Sequence, residues 1–332
     1  MKRLFSIALL ACLTISSGWS ATPTTEPAGV LQNGTIRVNP SNAAGILSQT
    51  TGVHTFEFES GIYRGGIVIP AKLSGSTFRA AQPWQACVIG DVHGISILPN
   101  VQNVTITGFR VCAPRGCGVY SQAKSGVTIE DCYVHSCGQS GVYGLHHSLV
   151  VRRCLVERNG LDPVHDHGIY IGNRPSCAVE FNVIRYNAGL GVAPALGSQL
   201  LSIRNNLIHN NGAGGISWPV YSISSGKPSE LINNTIMDNG NNPDIRISET
   251  GTSTVPCVTV ANNIFRRIQW DGVVKADTKG QRQLSIAQSL QGYYQGEDGR
   301  GWSVAAIDRT QAYCTDPATG TGAPRVLVGG GS

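Results

Sequence analysis

The chain has 332 residues, of which 41 are Gly and only 14% are charged, and its formal net charge is +5. Outside the first 20 residues no stretch reaches about 20 apolar residues, which argues against a polytopic membrane protein. No basic run suits nucleic acid and no polybasic patch suits a membrane surface. Together with many Val, Ile, Asn and Gly residues, this composition predicts a soluble all-β protein.

The first 20 residues have the pattern of a secretory signal peptide. A basic start at Lys2 and Arg3 precedes an apolar stretch from 4 to 15, and small, mostly polar residues follow up to Ser20. We therefore predict cleavage after Ser20 and export, to the periplasm or to the medium. The apolar stretch also contains a lipobox-like segment that ends at Cys12, so anchoring through a lipid on Cys12 stays open.

Ten cysteines are spread along the chain, and nine remain once Cys12 is removed. An odd number leaves at least one thiol free or intermolecular, although an exported protein is able to form disulfides. Cys132 and Cys154 fall at equivalent positions of a repeat described below, where they either bond or fill space. The paired spacing of a zinc site is absent, so we predict no metal site from the cysteines.

Residues 21–52 are interpreted as a leader and an N-terminal cap, and a repeated unit follows. The unit is mostly 22 to 24 residues long with longer copies near 28, and its copies begin with a short β-branched strand at Asn103, Gly126, Ser148, Ser176, Leu200, Ser229 and Pro256. A second short strand in each copy opens at Gly118, Gly141, Gly168, Gly191, Gly215, Asp244 and Gly272. Short strands joined by Gly and Asn turns in a fixed period indicate a solenoid.

Two polar ladders emerge when the copies are aligned. The first ladder runs through Phe109, Cys132, Cys154, Asn182, Asn206, Asn234 and Asn263. The second ladder runs through Cys137, Asn159, Asn187, Asn211 and Asn239. Asn tolerates left-handed turns, and identical amides about 4.8 Å apart bond to one another along a stack. The pattern therefore predicts a coiled parallel sheet with Asn ladders.

The repeats Val-Glu-Phe-Asn-Val-Ile at 179–184 and Ile-Arg-Asn-Asn-Leu-Ile at 203–208, with the stretch at 56–69, resemble the right-handed parallel β-helix, or pectin-lyase-like, superfamily. The resemblance covers residues 53–275 and implies a single-stranded right-handed parallel β-helix. The superfamily holds lyases, hydrolases, epimerases, adhesins and inert scaffolds, so it does not name a reaction. Residues 276–332 are interpreted as a C-terminal cap and a flexible tail.

One copy carries an insertion rich in ionisable groups. Nine positions separate Asn159 from Gly168, whereas the next copy has four between its corresponding residues (191 minus 187). The extra residues include Asp162, His165 and Asp166. Turn insertions on a solenoid project from one flank and build its binding face, so we expect the functional site here.

The segment His167-Gly168-Ile169 is similar to the pattern of family members that act on uronic-acid polymers, such as mannuronan C5-epimerases and some alginate lyases. That resemblance implies a base for the C5 proton, a neutraliser for the carboxylate and an acid for the leaving oxygen. We assign His167 as base, Tyr170 as its acid or base partner and Arg174 as neutraliser. Asp166 or His165 would orient the base.

The neighbouring copies supply polar aromatic residues that suit a sugar. Alternation along the strand places Tyr120, Tyr143 and Tyr170 in one outward row, where flat rings would pack on pyranose faces. The further candidates for substrate binding are His146, His147 and Trp218. Arg185 and His209 take equivalent outward positions, where we expect them to decorate a solvated face.

Plainer interpretations of the same residues remain open. The insertion is also consistent with a solvated turn in which Asp bonds its own backbone. His165 and His167, with Asp162 beside them, would suit a transition metal. No third strong ligand is evident in addition to the two histidines, so we predict no metal site. The sequence has no dense acidic cluster for Ca²⁺, which leaves a calcium cofactor open.

We therefore expect an exported, monomeric, carbohydrate-active protein that binds a polysaccharide, most favourably a lyase or epimerase on an acidic polymer. A glycoside hydrolase is one alternative, although it needs two carboxyl groups about 5 to 10 Å apart and only Asp162 and Asp166 are candidates. The other alternative is a non-catalytic β-helix that binds glycan or serves as an adhesin or envelope protein.

Overall fold

The structure, a computed structural model, describes residues 34–172, 176–196, 200–221, 229–240, 243–250, 258–261, 263–265, 268–271 and 276–277. The predicted signal peptide with Cys12, most of the predicted leader and all of the predicted tail beyond residue 277 lie outside the described residues. Within the described part, no helix has both the length and the apolar character needed to cross a membrane.

The described chain winds through three parallel sheets, which we name A, B and C. Sheet A consists of Thr35–Val38, Thr55–Phe58, Thr77–Ala80, Gln102–Thr107, Ser125–Glu130, His147–Arg152, Ala178–Glu180, Ser202–Arg204, Ser229–Ile232, Val258–Ala261 and Ala276–Asp277. Sheet B consists of Gly61–Arg64, Ala86–Ile89, Arg110–Cys112, Tyr133–His135, Leu155–Glu157, Val183–Arg185, Leu207–His209, Thr235–Met237 and Ile264–Phe265. Sheet C consists of Ile67–Ile69, Ile95–Ile97, Val119–Ser121, Val142–Gly144, Ile169–Ile171, Leu190–Pro194, Gly214–Tyr221, Ile245–Thr250 and Ile268–Asp271.

From Thr55 onward the coils contribute one strand to sheets A, B and C in turn, so each strand pairs with its counterparts in the neighbouring coils. Crossovers between parallel strands are right-handed, and the predicted right-handed parallel β-helix is confirmed. Helical segments are short: an α-helix spans Ala43–Gln49 and a 3₁₀ turn spans Ala71–Leu73. The first strand of sheet A, Thr35–Val38, pairs with Thr55–Phe58 and so lies before residue 53, where the repeats were expected to begin.

The core is a column of inward side chains that the alternation along each strand selects. Phe56 and Phe78 stack in neighbouring coils with ring centroids 5.0 Å apart, and Phe109 packs edge-on against Phe58 at 5.0 Å. All four are almost completely buried. Burial of one such side chain is worth about 1.5–3 kcal/mol, so this end of the solenoid rests on aromatic packing.

The Asn ladders are confirmed, and Asn206 shows how one rung works. Its Oδ1 accepts from the backbone N–H and from Nδ2 of Asn182, both at 3.0 Å. Its Nδ2 donates to Oδ1 of Asn234 at 2.9 Å and to the carbonyl of Val179 at 2.8 Å. Because each buried amide satisfies groups in two neighbouring coils, the ladder fixes the register of the whole stack.

The left-handed residue at each ladder corner is not the Asn of the ladder but the residue before it. Asn205, with φ 55°, precedes Asn206, and Arg158, also with φ 55°, precedes Asn159. The ladder Asn keeps its ordinary backbone because its side chain must turn inward to bond along the stack. The preceding residue therefore stands at the corner, where Arg158 and Tyr186 (φ 55°) follow each other in successive coils.

Cysteines fill the ladder positions in the earlier coils. The thiols of Cys132 and Cys154 donate to the carbonyls of Glu130 and Arg152, both at 3.2 Å. Both are free thiols, so these two residues fill space rather than form a disulfide. Burial raises the pKa of Cys154 well above its usual value, which makes it an unreactive thiol.

The glycine that opens most sheet C strands is required by the second ladder. A Cβ on Gly168 would lie 2.6 Å from the carbonyl oxygen of Gly191 and 2.8 Å from Nδ2 of Asn187. A Cβ on Gly141 would lie 2.8 Å from Nδ2 of Asn159. The side-chain amide of the ladder Asn packs directly against this glycine, and a larger residue at the glycine position would collide with it.

Candidate functional site

The inserted turn at 160–167 is closed by its own carboxylates. Oδ2 of Asp166 accepts from the backbone N–H groups of Leu161 at 3.0 Å and of Asp162 at 2.8 Å. Asp162 accepts from the N–H of Val164 at 2.8 Å and contacts Nδ1 of His165 at 2.8 Å. The His165 side chain is 78% exposed. The turn therefore has the form of the plainer interpretation, in which Asp bonds its own backbone.

The exposed pair in this turn shifts the pKa of both partners. The bond to Asp162 raises the pKa of His165, and the bond from His165 lowers the pKa of Asp162. The pair thus favours a protonated His165 beside an ionised Asp162. Such a pair at the surface stabilises a turn only weakly.

His167 lies at the foot of the inserted turn and is buried. Its backbone N–H donates to Oγ of Ser140 at 2.9 Å, and its Nδ1 accepts from the backbone N–H of Leu190 at 3.2 Å. Burial lowers the pKa of His167, so the ring is neutral at pH 7. With Nδ1 accepting, the proton sits on Nε2, and the free ring nitrogen is a donor rather than a base.

The same arrangement occurs at a second His-Gly-Ile segment, which the sequence interpretation missed. His93 precedes Gly94 and Ile95, and its Nδ1 accepts from the backbone N–H of Cys117 at 3.1 Å. Burial lowers its pKa as well. The segment is therefore a recurring corner, in which the imidazole caps a backbone N–H of the next coil.

Tyr120, Tyr143 and Tyr170 stand in one register on sheet C, as their spacing predicts. The centroids of Tyr120 and Tyr143 are 5.5 Å apart and those of Tyr143 and Tyr170 are 4.6 Å apart, with nearly parallel rings. His93 stacks on Tyr120 at 4.3 Å, and the ring of His167 lies 6.1 Å from that of Tyr170. The five rings form one continuous aromatic row along the solenoid axis.

This stacking changes how the row meets a ligand. Because each tyrosine ring covers the face of the next, the faces expected to pack on pyranose rings are already in contact with one another. The surface of the row consists of ring edges and phenol hydroxyls, with Tyr120, Tyr143 and Tyr170 all half-buried. The hydroxyl of Tyr120 accepts from Nε2 of Gln122 at 3.2 Å.

Two of the candidates for substrate binding are buried, and their assignment needs correction. Trp218 is fully buried because Ile216 and Trp218 share the inward phase of their strand, which leaves Ser217 on the outside. His146 is also buried, since only residues 145 and 146 separate two strands and the short corner folds inward. Neither side chain reaches the outer face of sheet C.

The remaining predicted site residues fall outside what the structure describes. Arg174 lies in the undescribed segment 173–175, and of His147 only the backbone is described. Among the described side chains, no three His, Cys, Asp or Glu residues come together in a way that would hold a metal ion. The grouping of Asp162, His165 and His167 that would have suited a metal does not form.

Sheet B carries a cluster of interacting polar and aromatic side chains that the sequence interpretation did not single out. Nε of Arg110 donates to Nε2 of His135 at 2.9 Å, and its guanidinium lies over the ring of Tyr133 at 5.8 Å. The hydroxyl of Tyr133 donates to Oε1 of Glu157 at 2.8 Å. Burial and Arg110 lower the pKa of His135 to about 4, whereas burial and Glu157 raise that of Tyr133 to about 12.

Glu157 is the centre of this cluster, with a side chain only 4% exposed. Nη1 of Arg158 contacts Oε1 at 2.7 Å and Nε of Arg185 contacts Oε2 at 2.7 Å. Burial works against the charge of Glu157, but the bonds from Arg185 and Tyr133 prevail and lower its pKa. Arg185 is thus a partner of a buried carboxylate, although 31% of its side chain is exposed on the outer face as expected.

For His209 the expectation of a solvated position is wrong, because the side chain is buried. Its ring lies 5.8 Å from Tyr186, edge to face. The sequence signal for this cluster lies in the short sheet B strand that follows each first-ladder residue. The first residues of these strands line up from coil to coil as Arg110, Tyr133, Leu155 and Val183. The third residues line up as His135, Glu157, Arg185 and His209.

The family described as "right handed beta helix region" matches residues 29–161, 68–222 and 163–287 in three overlapping segments. No curated protein matches the chain. Among solved structures, the alginate lyase from Paenibacillus sp. str. FPU-7 is similar at 15% identity, with 74% of this chain and 99% of that chain covered and a TM-score of 0.47. Pectate lyase Pel9A is similar at 15% identity over 86% of this chain and 90% of that chain, with a TM-score of 0.47.

The Dettilon tailspike protein is similar at 15% identity over 68% of this chain, with a TM-score of 0.49. The match spans 54% of the tailspike chain, about half of its length. At this level of identity the likeness concerns the fold.

Proposed function

The chain belongs to the right-handed β-helix family, and from this premise we propose that it is an exported protein that binds a polysaccharide along the outer face of sheet C. The observation that carries the proposal is the aligned row of Tyr120, Tyr143 and Tyr170. The inserted turn at 160–167 stands at one end of this row, beside Tyr170, and would border the bound chain.

The row suits a linear polymer because its hydroxyls repeat with the coils. Each coil advances by about 4.8 Å, so three phenol hydroxyls follow one another along the axis at that spacing. A polysaccharide also presents hydroxyl groups in a repeating line. Stacking already fixes the tyrosine rings, so binding costs little additional side-chain entropy.

The phenols are in the correct state to exchange hydrogen bonds with sugar hydroxyls. Burial and the two neighbouring tyrosines raise the pKa of Tyr143, so its hydroxyl keeps its proton at pH 7. The hydroxyl of Tyr120 accepts from Gln122, which leaves its own proton for a ligand. A row of such groups donates and accepts along the whole ligand.

The test removes the hydroxyls and leaves the stack. In the double variant Tyr143→Phe with Tyr170→Phe, we expect binding to weaken about tenfold for the polysaccharide that binds the wild type, from the loss of two hydrogen bonds worth about 0.7 kcal/mol each. Affinity electrophoresis against a panel of neutral and acidic polysaccharides measures it. Thr105→Val with Thr128→Val, which removes two neighbouring hydroxyls from the outer face of sheet A, is the matched control. Equal binding by both variants would contradict the proposal.

A second candidate is a lyase or epimerase on a uronate polymer, favoured by the proximity of His167 and Tyr170 at the foot of the inserted turn. The Nε2–H tautomer fits His167 as a hydrogen-bond donor to the substrate rather than as the base inferred from the sequence, with Tyr170 beside it as the proposed acid or base partner. Arg174 remains the proposed neutraliser of the carboxylate. Incubation with a panel of uronate polymers, followed by the ultraviolet absorbance of unsaturated products and by the C5 configuration, tests this candidate. Wild-type protein that is as inactive as His167→Ala would remove it.

A further inference from the structure

The outer face of sheet B and its corner to sheet C carry a group of side chains that we name the guanidinium patch: Arg110, Tyr133, Glu157, Arg158, Arg185 and Tyr186. They come from four consecutive coils, because Arg110, Tyr133, Leu155 and Val183 pair in sequence along sheet B. The distance from the first coil to the fourth is three strand spacings, or about 14 Å. The patch therefore runs along the solenoid axis, as the tyrosine row does.

The patch holds more positive than negative charge. Among its described side chains, three guanidinium groups face one carboxylate, that of Glu157. Both carboxylate oxygens are occupied, Oε1 by Tyr133 and Arg158 and Oε2 by Arg185. His135, the other titratable group beside Arg110, is neutral at pH 7 and adds no charge. Two positive charges are left over within the patch.

Sheet A offers a contrast to the guanidinium patch. Its outer face also carries arginines, and three of them pair with a glutamate of a neighbouring coil. The pairs are Arg79 with Glu57 at 2.7 Å, Arg152 with Glu130 at 2.7 Å and Arg204 with Glu180 at 2.6 Å. In each of these three pairs one positive charge faces one negative charge, so the pair adds no net charge to the face.

The excess charge is accessible and held in place. The Arg158 side chain is 61% exposed, and one of its N–H groups is directed to Glu157. The guanidinium groups of Arg158 and Arg185 both lie over the ring of Tyr186, at 5.4 Å and 5.5 Å from its centroid. A guanidinium fixed on an aromatic ring presents its remaining donors as a planar fork, which matches a carboxylate in two parallel bonds.

We propose that the guanidinium patch binds the carboxylate groups of an acidic polysaccharide, with Arg158 as the principal contact. This inference rests on the proposed function and deepens it, since it names uronate polymers as the ligand class. The exposed part of Tyr186 would contact the sugar that carries the carboxylate, with its apolar ring and its polar hydroxyl. The patch and the tyrosine row flank the corner with the inserted turn, one on each side.

The test compares two arginines that change the net charge equally. In Arg158→Gln the patch loses its exposed guanidinium, while Glu157 keeps its bonds from Arg185 and Tyr133, so the fold is retained. We expect binding to polygalacturonate to weaken about tenfold and its salt dependence to become flatter. Arg79→Gln, in a neutralised pair of sheet A, is the control and should leave binding unchanged. Affinity electrophoresis and calorimetry with polygalacturonate, and with its carboxyl-reduced neutral form, measure both.

The inference is overturned if Arg158→Gln and Arg79→Gln bind polygalacturonate equally, or if the wild type binds the carboxyl-reduced polymer just as tightly. It is also overturned if dextran sulfate or a single-stranded DNA oligomer binds through Arg158 more tightly than polygalacturonate does. Failure of the tyrosine row is separable, because Tyr143→Phe with Tyr170→Phe would then bind normally while Arg158→Gln remained weak. The absence of binding to any polymer would overturn both proposals.

Discussion

The corners at His93 and at His167 share the segment His-Gly-Ile, yet only the second follows an inserted turn. In both, Nδ1 accepts a backbone N–H from the next coil, at 3.1 Å from Cys117 and at 3.2 Å from Leu190. In both, burial lowers the pKa of the imidazole. The shared segment therefore serves the stacking of coils, and any function particular to His167 must arise from the inserted turn and from Tyr170.

The glycines give the largest expected effect, and they test whether the two corners are equivalent. A Cβ on Gly94 would lie 2.3 Å from Cγ1 of Val111, and one on Gly168 would lie 2.6 Å from the carbonyl oxygen of Gly191. We expect Gly94→Ala and Gly168→Ala each to lower the free energy of unfolding by about 3 kcal/mol, measured by urea denaturation. Gly45→Ala is the control, because a Cβ there meets nothing within 4 Å. A tolerated alanine at one corner alone would break the equivalence.

Substitution of the two histidines has the next largest expected effect. It separates the hydrogen bond that Nδ1 accepts from the next coil from a role in chemistry. His93→Ala and His167→Ala each leave a backbone N–H of the next coil without its acceptor, at a cost of about 1–2 kcal/mol. Asparagine places Oδ1 near the former position of Nδ1, so His93→Asn and His167→Asn should recover most of that stability in the same unfolding assay. If the uronate chemistry is correct, His167→Asn stays folded and loses turnover, whereas His93→Asn keeps it. Equal turnover in the two Asn variants would contradict a chemical role that His167 has and His93 lacks.

The smallest expected effect is on the pH dependence of stability. A pKa lowered by burial means that the folded chain binds fewer protons than the unfolded chain below the ordinary value of 6.5. The stability associated with His93 and His167 is therefore present above that value and is lost as pH falls through it. We expect the urea midpoint to fall between about pH 7.5 and pH 5.5, and to fall less in the double variant His93→Asn with His167→Asn.

His135 shares this direction, so the double variant should retain part of the slope. The pKa of His135 is lowered to about 4, and the resulting loss between pH 7 and 5 amounts to about 1 kcal/mol after allowance for solvent screening. His165 acts in the opposite sense, since its pKa is raised, but it lies in an exposed pair. A double variant whose midpoint still fell as steeply as that of the wild type would contradict the burial of both imidazoles.

Much of the architecture followed from spacing alone. Asn182, Asn206 and Asn234 recur at intervals of 24 and 28 residues, and in a parallel coil such residues become lateral neighbours, so both the fold and the ladder bonds could be predicted. The register of Tyr120 with Tyr143 followed from the same counting. The phase of Trp218 was within reach as well, since Ile216 in the same strand points inward.

The chemistry of the candidate site was beyond such counting. The protonated nitrogen of His167 depends on where the N–H of Leu190 falls, and that N–H belongs to another coil. The same holds for Glu157, whose partners Tyr133 and Arg185 come from the coils on either side. Hydrogen bonds between coils need distances and directions, which a one-dimensional repeat does not contain.

The sequence by itself determined the winding of the chain, because a period of about two dozen residues with inward apolar positions has one way to bury them, as a stack of parallel coils. Only the tertiary structure decided what the outer faces offer. It stacked the tyrosine rings face against face, paired Arg79, Arg152 and Arg204 of sheet A with glutamates, and left the guanidinium groups of the sheet B patch in excess. The reason is physical: burial is set by alternation within a strand, whereas the pairing of outward charges and rings is set by contacts across neighbouring coils.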